Sequence, residues 1–542
     1  MKSGRPQYPR GAGGLQMARI VIGLALAVSL LVGAAPGTGA AQPGPQRGGV
    51  MRVATNADPP GLDLMWQTST ISLDISQHVF ETLLTLDTQR RIVPMLADSY
   101  TVTNGGKTFT FKLRRGVKFH NGAEMTAADV LASFQRWVAL SSRARQILKD
   151  LTEATAPDRD TFVVTLSQPN GAFLPALAIP NQRMVVLPRS VIEKNRDGTG
   201  KPLEIKGADL IGTGPYRVAE WKPDQYVRLV RFSGYASRSD PSSYMGGARH
   251  AYLDEIRFIP VPDDLTRVAG LISGEYDLAL QLPSSAYDQL KGSAGVVVKI
   301  VGPGSAAVGV FNKKRGPFVD VRTRQAAWYA IDPQKVMAGA FDNPLIYRLT
   351  SSLAGKEWGV WAFPQIGRDV YDHGRDLAKA KELLKESGYA GEPIRWITTR
   401  DYAYMYRSAL VASEEMKEAG FNVRLVVSDW ATVISDRNNP DRYEIFSTGI
   451  GFEGDPTSTA AFTPGWPGWY DSPRNNKNYE ALVTTVSPAL RHELGAQQQR
   501  IFWDEIPYLR FGEILTLLAY RQNVQEMYPD NSYYLWNVWL KK

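Results

Sequence analysis

At 542 residues the chain is too long for one ordinary hydrophobic core, so two or three lobes are expected. Its 44% hydrophobic and 21% charged residues are those of a soluble globular protein. Of the net charge of +8, half comes from Lys2, Arg5, Arg10 and Arg19 in an acid-free start, and no basic run elsewhere points to nucleic acid.

The start reads as an export signal over residues 1–41. Arg19 precedes an apolar run from Ile20 to Val32, and Gly39-Ala40-Ala41 supplies a small-residue cleavage site; Met17 is a second candidate start. The apolar run is short for a membrane span. With no cysteine, disulfides, Cys-ligated zinc, thiol catalysis and a lipid-bearing cysteine are all excluded. The expected compartment is a periplasm.

After a Pro/Gly linker, Val50–Thr55 reads as a strand. A helical pattern follows from Thr70 to Leu86, with Ile71, Ile75, Val79 and Leu83 four apart. Ser99–Arg114 reads as a hairpin turning at Asn104-Gly105-Gly106, and Thr126-Ala127-Ala128-Asp129 as a helix start. Phe162–Leu166 is a further strand. The Gly212-Thr213-Gly214-Pro215 turn feeds a strand over Tyr216–Trp221, which turns back into Tyr226–Phe232. Strands are expected at Leu253–Pro260 and Val296–Val301, with a helix at Leu265–Ser273 between them. From Val308 the pattern becomes α/β: helices over Val321–Ala330 and Ala378–Glu386, then a strand–helix–strand unit over Ile394–Ile397, Ala403–Ala419 and Asn422–Val427. Glu444–Thr448 is a strand. A long loop from Gly449 to Lys477, two helical patterns and an aromatic tail, Tyr533–Trp539, complete the chain.

No catalytic constellation is visible. His492-Glu493 lacks a second histidine at zincin spacing, Gly200-Lys201 is followed by Pro202, and no Gly-x-Ser-x-Gly elbow occurs. Neither a metal nor a cofactor is expected.

Several strings occur in one order: Gly48-Gly49, Gly61-Leu62-Asp63, Val79-Phe80-Glu81-Thr82-Leu83, Pro94–Ser99, Lys107–Gly122, Thr126–Val130, Gly212-Thr213-Gly214-Pro215-Tyr216, Phe311-Asn312 with Val321–Ala326, and Leu383–Tyr389. In this the chain resembles the family 5 solute-binding proteins of bacterial ABC importers, the dipeptide-, oligopeptide- and nickel-binding group. The resemblance implies an α/β, bilobal periplasmic-binding-protein fold of class II type with an extra inserted domain. It places lobe I at 42–82, 209–300 and 512–542, the inserted domain at 83–208 and lobe II at 301–511. It implies a monomer that traps a peptide or other small polar solute between its lobes and hands it to a membrane permease. The competing classes are a secreted hydrolase on the same scaffold and a periplasmic chaperone or sensor partner.

Candidate ligand contacts lie in loops expected to face the cleft. Trp66 and Thr68 sit between the first strand and helix; a packed lobe-edge role competes for Trp66. Tyr402 and Tyr404 open a lobe II helix, and Trp430 follows Ser428-Asp429. The loop Ile450-Gly451-Phe452-Glu453-Gly454-Asp455-Pro456-Thr457-Ser458 is the strongest candidate. In peptide-binding relatives an aspartate here pairs with the ligand's α-amino group, a charge-assisted bond. Aligned on Gly454-Asp455, the aspartate is present. Aligned on Asp455-Pro456-Thr457-Ser458, Asp455 caps a turn and the amine position falls to Phe452 or a gap.

Overall fold

The computed structural model describes residues 44–542 except 67–68, 180–182, 373 and 529–532. The expected signal segment and Thr68 lie outside the described residues. No helix among the described residues is long and apolar enough to cross a membrane.

An eleven-stranded mixed sheet carries the molecule. From one edge its strands are Val423–Val427, Ile394–Thr398, Ile445–Ile450, Val296–Phe311, Tyr508–Arg521, Leu278–Ala279, Val50–Thr55, Glu255–Pro260, Tyr226–Arg231 and Tyr216–Lys222, with Tyr347–Arg348 paired beside Tyr508–Arg521. Two strands of 16 and 14 residues, Val296–Phe311 and Tyr508–Arg521, form its centre. They pair in three stretches, Val296–Val301 with Thr516–Arg521, Ser305–Ala307 with Gly512–Ile514, and Val308–Val310 with Tyr508–Arg510. Between the first two the register breaks at Gly302-Pro303-Gly304. A proline with no N–H and two glycines cannot sustain a regular ladder. One half of the sheet continues into the N-terminal strands and the other into the 394–450 strands, so the two lobes share a seam of continuous backbone.

Lobe II is wound around parallel pairing. Ile394–Thr398 lies parallel to Val423–Val427 and to Ile445–Ile450, and a parallel neighbour needs a crossover. The helix Ala403–Glu418 supplies it and ends before Gly420, which adopts a φ of 107°. A separate four-stranded antiparallel sheet orders Ala97–Thr103, Thr108–Leu113, Thr161–Leu166 and Leu151–Asp158. Its first turn uses positive φ at Asn104, Gly105 and Gly106, and the helix Ala127–Leu140 covers it with Phe134 and Trp137 behind a Thr126/Asp129 capping box.

The Gly212–Tyr216 turn packs onto the chain just after the first helix. Gly214 N–H donates to Val79 O (2.9 Å) and Tyr216 N–H to His78 O (3.1 Å). A Cβ on Gly212 would overlap the Val79 carbonyl, and one on Gly214 the carbonyls of His78 and Val79. Beneath the turn, the buried Glu81 carboxylate accepts from Thr213 Oγ1 (2.8 Å), Tyr235 Oη (2.8 Å) and Arg249 Nη1 (3.3 Å). Arg249 stacks on Trp536, 4.0 Å from the ring centroid, which ties in the C-terminal tail.

Three expectations need correction. The first helix spans only Thr70–Ser76. The turn claims the carbonyls of residues 78 and 79, while Val79 and Leu83 are buried from every side and so keep the apolar spacing beyond the helix. The strand expected at Val296–Val301 runs on to Phe311. The aromatic tail pairs only through Trp539–Leu540 with Val524–Gln525, although Tyr533, Tyr534, Leu535 and Trp536 are buried.

A buried and a half-buried histidine bracket the turn. His78 Nδ1–H donates to Ile75 O (3.0 Å) and Nε2 accepts from Leu535 N–H (2.8 Å). His120 Nδ1 accepts from Gly212 N–H (3.2 Å) and Nε2–H donates to Gly214 O (3.0 Å). Both imidazoles are therefore neutral, and burial pulls each from 6.5 to about 4. In acid the unfolded chain binds these protons first. Stability should hold above about pH 6.5 and fall as pH drops toward 4, by at most about 1.4 kcal/mol per pH unit for each histidine. Urea melts across that range check this: His120→Gln should flatten the slope, and an unchanged slope contradicts it.

Candidate functional site

The seam between the lobes sets the site. Ile450 ends its strand paired to Ala306, beside the register break. A Cβ on Gly451 would lie 3.1 Å from Gly304 O, and one on Gly449 would lie 2.9 Å from Ser305 Oγ and 3.0 Å from Tyr404 Oη. The loop after Ile450 thus leaves the sheet where the two central strands lose register.

An aromatic row flanks that point on lobe II. Tyr404 stacks on Phe341 at 6.0 Å and meets Tyr402 edge-on at 6.4 Å; Tyr402 meets Trp430 edge-on at 5.3 Å. The row is positioned by Asp401, whose carboxylate accepts from Trp430 N–H at 2.8 Å. Burial raises the phenol pKa of both tyrosines, so both present neutral hydroxyls. Tyr402 keeps 39% of its surface exposed. Phe452 instead packs edge-on against Trp358 at 5.7 Å. Trp358 in turn receives the Arg90 guanidinium 5.0 Å from its centroid, and Arg90 lies 3.8 Å from the Tyr244 ring. Arg90 and Tyr244 belong to the N-terminal half, so this stack ties that half to Trp358 and Phe452.

A charged group lies nearby. Arg183 is buried, which lowers its pKa to about 10, within the field of Tyr244, Arg249, Glu453 and Asp74. Burial raises the Asp74 carboxyl well above its usual range, with Arg183 opposing. Glu453 belongs to the loop after Ile450.

The structure brings Tyr402, Tyr404 and Trp430 together, sets Ile450 and Gly451 at the seam, and seats Phe452 on Trp358. It leaves Trp66 apart, 42% exposed. Asp455 is turned inward: Oδ1 accepts from Thr457 N–H (2.9 Å) and Thr457 Oγ1, and Oδ2 pairs with the buried Arg491 guanidinium. Of the two sequence alignments, this is the geometry of the turn cap. Sequence reading missed Trp358, Arg90, Asp74 and Arg183. Arg183 stands out only as a lone cation before the apolar run Met184-Val185-Val186-Leu187, and Asp74 as a lone acid among Ile71, Leu73 and Ile75. Among the described residues no cluster of His, Cys, Asp and Glu has the makings of a metal site.

The segment around residues 149–171 touches the helix Pro473–Thr484 and the residues after it. Gly171 N–H donates to Val483 O (2.7 Å), Lys149 Nζ pairs with Glu480 (2.7 Å), and a Cβ on Gly171 would overlap Thr485 O.

Replacing Asp455 by Asn leaves Arg491 buried beside a neutral amide. The expected cost is about 3–5 kcal/mol of folding stability in denaturant melts, with ligand preference unchanged. A variant of wild-type stability that loses ligand would return Asp455 to the binding site.

The profile of bacterial extracellular solute-binding proteins, family 5 middle, matches residues 91–476. A probable peptide ABC transporter periplasmic-binding protein of Sinorhizobium fredii is 28% identical over 488 residues, covering 87% of this chain and 90% of the relative. The glutathione-binding protein GsiB of Salmonella choleraesuis is 25% identical over 519 residues, covering 89% of this chain and 92% of the relative. In fold, AgaA from A. tumefaciens R10, in complex with agropinic acid, superposes with a TM-score of 0.77 at 23% identity over 91% of this chain and 99% of its own. The oligopeptide-binding protein AppA from Bacillus subtilis, in complex with a nonapeptide, gives 0.77 at 20% identity over 92% and 100%.

Proposed function

The chain belongs to the bacterial extracellular solute-binding proteins of family 5, and on that premise we propose that its ligand closes the two lobes around the aromatic row. The protein is a solute-binding component of an ABC importer, in a family of substrate-binding proteins rather than enzymes. A periplasmic location follows from the family. The finer reading is a monomer, exported by its first 41 residues and free of a lipid anchor, with lobe boundaries near residues 82, 208, 300 and 511.

The observation that carries the cleft reading is the seam. Two continuous strands cross between the lobes, and their pairing skips Gly302–Gly304 and shifts again after Ala307. That break is the natural pivot, since a few residues absorb the angle change when domains close. A ligand touching both lobes stabilises only the closed state, because only there are both sets of contacts made. Ligand contacts are assigned to Tyr402, Tyr404, Trp430, Ile450, Gly451 and Phe452; Trp66 and Thr68 stand as rim candidates. Asp455 is assigned a structural role.

Mass spectrometry of small molecules released by heat from the protein purified in its native compartment should identify a peptide or other small polar solute. Returned at about a hundredfold excess over its dissociation constant, that solute should stabilise the fold by about 2.7 kcal/mol, visible as a raised melting temperature. Chemical turnover of the bound solute would contradict the carrier reading.

A further inference from the structure

The helices Pro473–Thr484 and Pro488–Glu505 are seated by buried bonds to their own surroundings. Tyr479 Oη donates to Thr457 O (3.1 Å), Asn475 Nδ2 to Phe462 O (2.8 Å) and Trp503 Nε1 to Ser351 O (2.9 Å), while Arg491 pairs with Asp455. The four-stranded sheet and its helix Ala127–Leu140 are seated as firmly elsewhere. Arg136 pairs with Asp63 in the N-terminal segment, Ile205 N–H donates to the same carboxylate (3.0 Å), and His120 bonds Gly212 and Gly214. Where these two parts meet, the bonds are of another kind. Gly171 N–H donates to Val483 O (2.7 Å), Lys149 pairs with Glu480 (2.7 Å) with 48% and 50% of their side chains exposed, and the exposed Val486 lies against Gly106.

Such a contact can part without leaving a buried group unpaired. Val483 O is one of the last carbonyls of its helix, which have no partner within the helix and accept from water as they do from Gly171. Lys149 and Glu480 return to solvent with little loss, since exposed ion pairs contribute little. The fit is nonetheless specific. A Cβ on Gly171 would overlap Thr485 O, and Gly171 is not in the left-handed region, so its neighbour rather than its backbone demands a glycine. Asn170 fixes it there: its N–H donates to Gly106 O (2.9 Å) and its Oδ1 accepts from Ala172 N–H (3.0 Å). On the facing side Arg491 shapes the seat. It donates to Leu482 O and Thr485 O while holding Asp455, in the loop that begins at Ile450. One side chain therefore separates the seat from the loop assigned to the solute.

We propose that Gly106, Lys149 and Gly171 form a latch with Glu480, Val483 and Val486, which makes when the protein closes on its solute and lengthens the bound lifetime without touching the solute. This rests on the carrier reading above and on its lobe boundaries, which put residues 83–208 and 301–511 on opposite sides of the cleft. A contact made only in the closed state stabilises that state alone, so it slows release and leaves capture unchanged.

The test compares wild type with Gly171→Ala, which blocks the approach, and Lys149→Gln, which removes the ion pair alone. The probe is the small-molecule fraction released by heat from the protein of its native compartment and returned to stripped protein. Rates are read from tryptophan fluorescence by stopped flow. Gly171→Ala should raise the dissociation rate at least about tenfold, since the overlap with Thr485 O removes the whole latch, and should leave the association rate unchanged. Lys149→Gln should raise the dissociation rate about twofold and lose the acceleration of release that added salt causes in wild type. Stripped Gly171→Ala should melt with stripped wild type, because the latch is open without solute. Lower melting of that stripped variant, or its failure to fold, makes the contact a permanent joint and overturns the latch. So does a dissociation rate equal to that of wild type. In each of these cases a probe that still binds wild type leaves the carrier reading standing, whereas a native protein that yields no bound solute removes both.

Discussion

The Glu81 carboxylate holds the N-terminal lobe to its own later segments. It sits just past the first helix and accepts from Thr213 in the turn, from Tyr235 in the following loop and from Arg249, which lies on Trp536 near the C-terminus. Three stretches far apart in sequence thus converge on one buried acid. Removing any one donor leaves part of that acid desolvated and unpaired, which costs more than the bond itself contributes. The glycines at 212 and 214 serve the same junction by letting two backbones approach where a Cβ would collide. This junction lies immediately after the first helix, where the turn binds the carbonyls of His78 and Val79.

The second constraint lies across the molecule. The 394–450 part has its own parallel strands and crossover helix, and it is joined to the N-terminal strands through two long strands of one sheet. Such a connection resists shear and permits bending where hydrogen bonds are missing, at Gly302–Gly304. Around the bend sits an ion-paired frame, with Arg348 bridging Glu357 and Glu513, while Gly302 packs against the Glu357 side chain. Trp358, next in sequence to Glu357, is the residue on which Arg90 and Phe452 converge. Glu357, against Gly302, and Trp358, against Phe452, are therefore neighbours on one short segment.

Much of this was legible in the sequence. Hairpins with Asn-Gly-Gly turns, capped helices and the strand–helix–strand unit carry local signals, and they stand where those signals put them. The central strand Tyr508–Arg521 was not legible. It is buried on both faces, so it lacks alternation, and it carries Arg510 and Glu513, whose burial makes sense only beside Arg348 and the Ser352 carbonyl. The site was legible in part. Aromatic residues at loop ends pointed to Tyr402, Tyr404, Trp430 and Phe452. The charges at Asp74 and Arg183 gave little warning, because a buried ion announces itself through its partners, and those come from distant segments. Asp455 shows the converse: its string invited a ligand role, and only Arg491, on a later helix, shows where its charge is spent.

The central claim is that the lobes close on a solute about the Gly302–Gly304 seam. With no native cysteine, two labels can be placed cleanly. Val102 and Leu490 are exposed, the first on the small sheet and the second on the helix Pro488–Glu505. Pulsed electron–electron resonance between spin labels on Val102→Cys and Leu490→Cys reads the separation directly. The account predicts a long, broad distribution without ligand that collapses to a short, narrow one when the native solute is returned. A distribution that stays the same while that solute raises the melting temperature would contradict it.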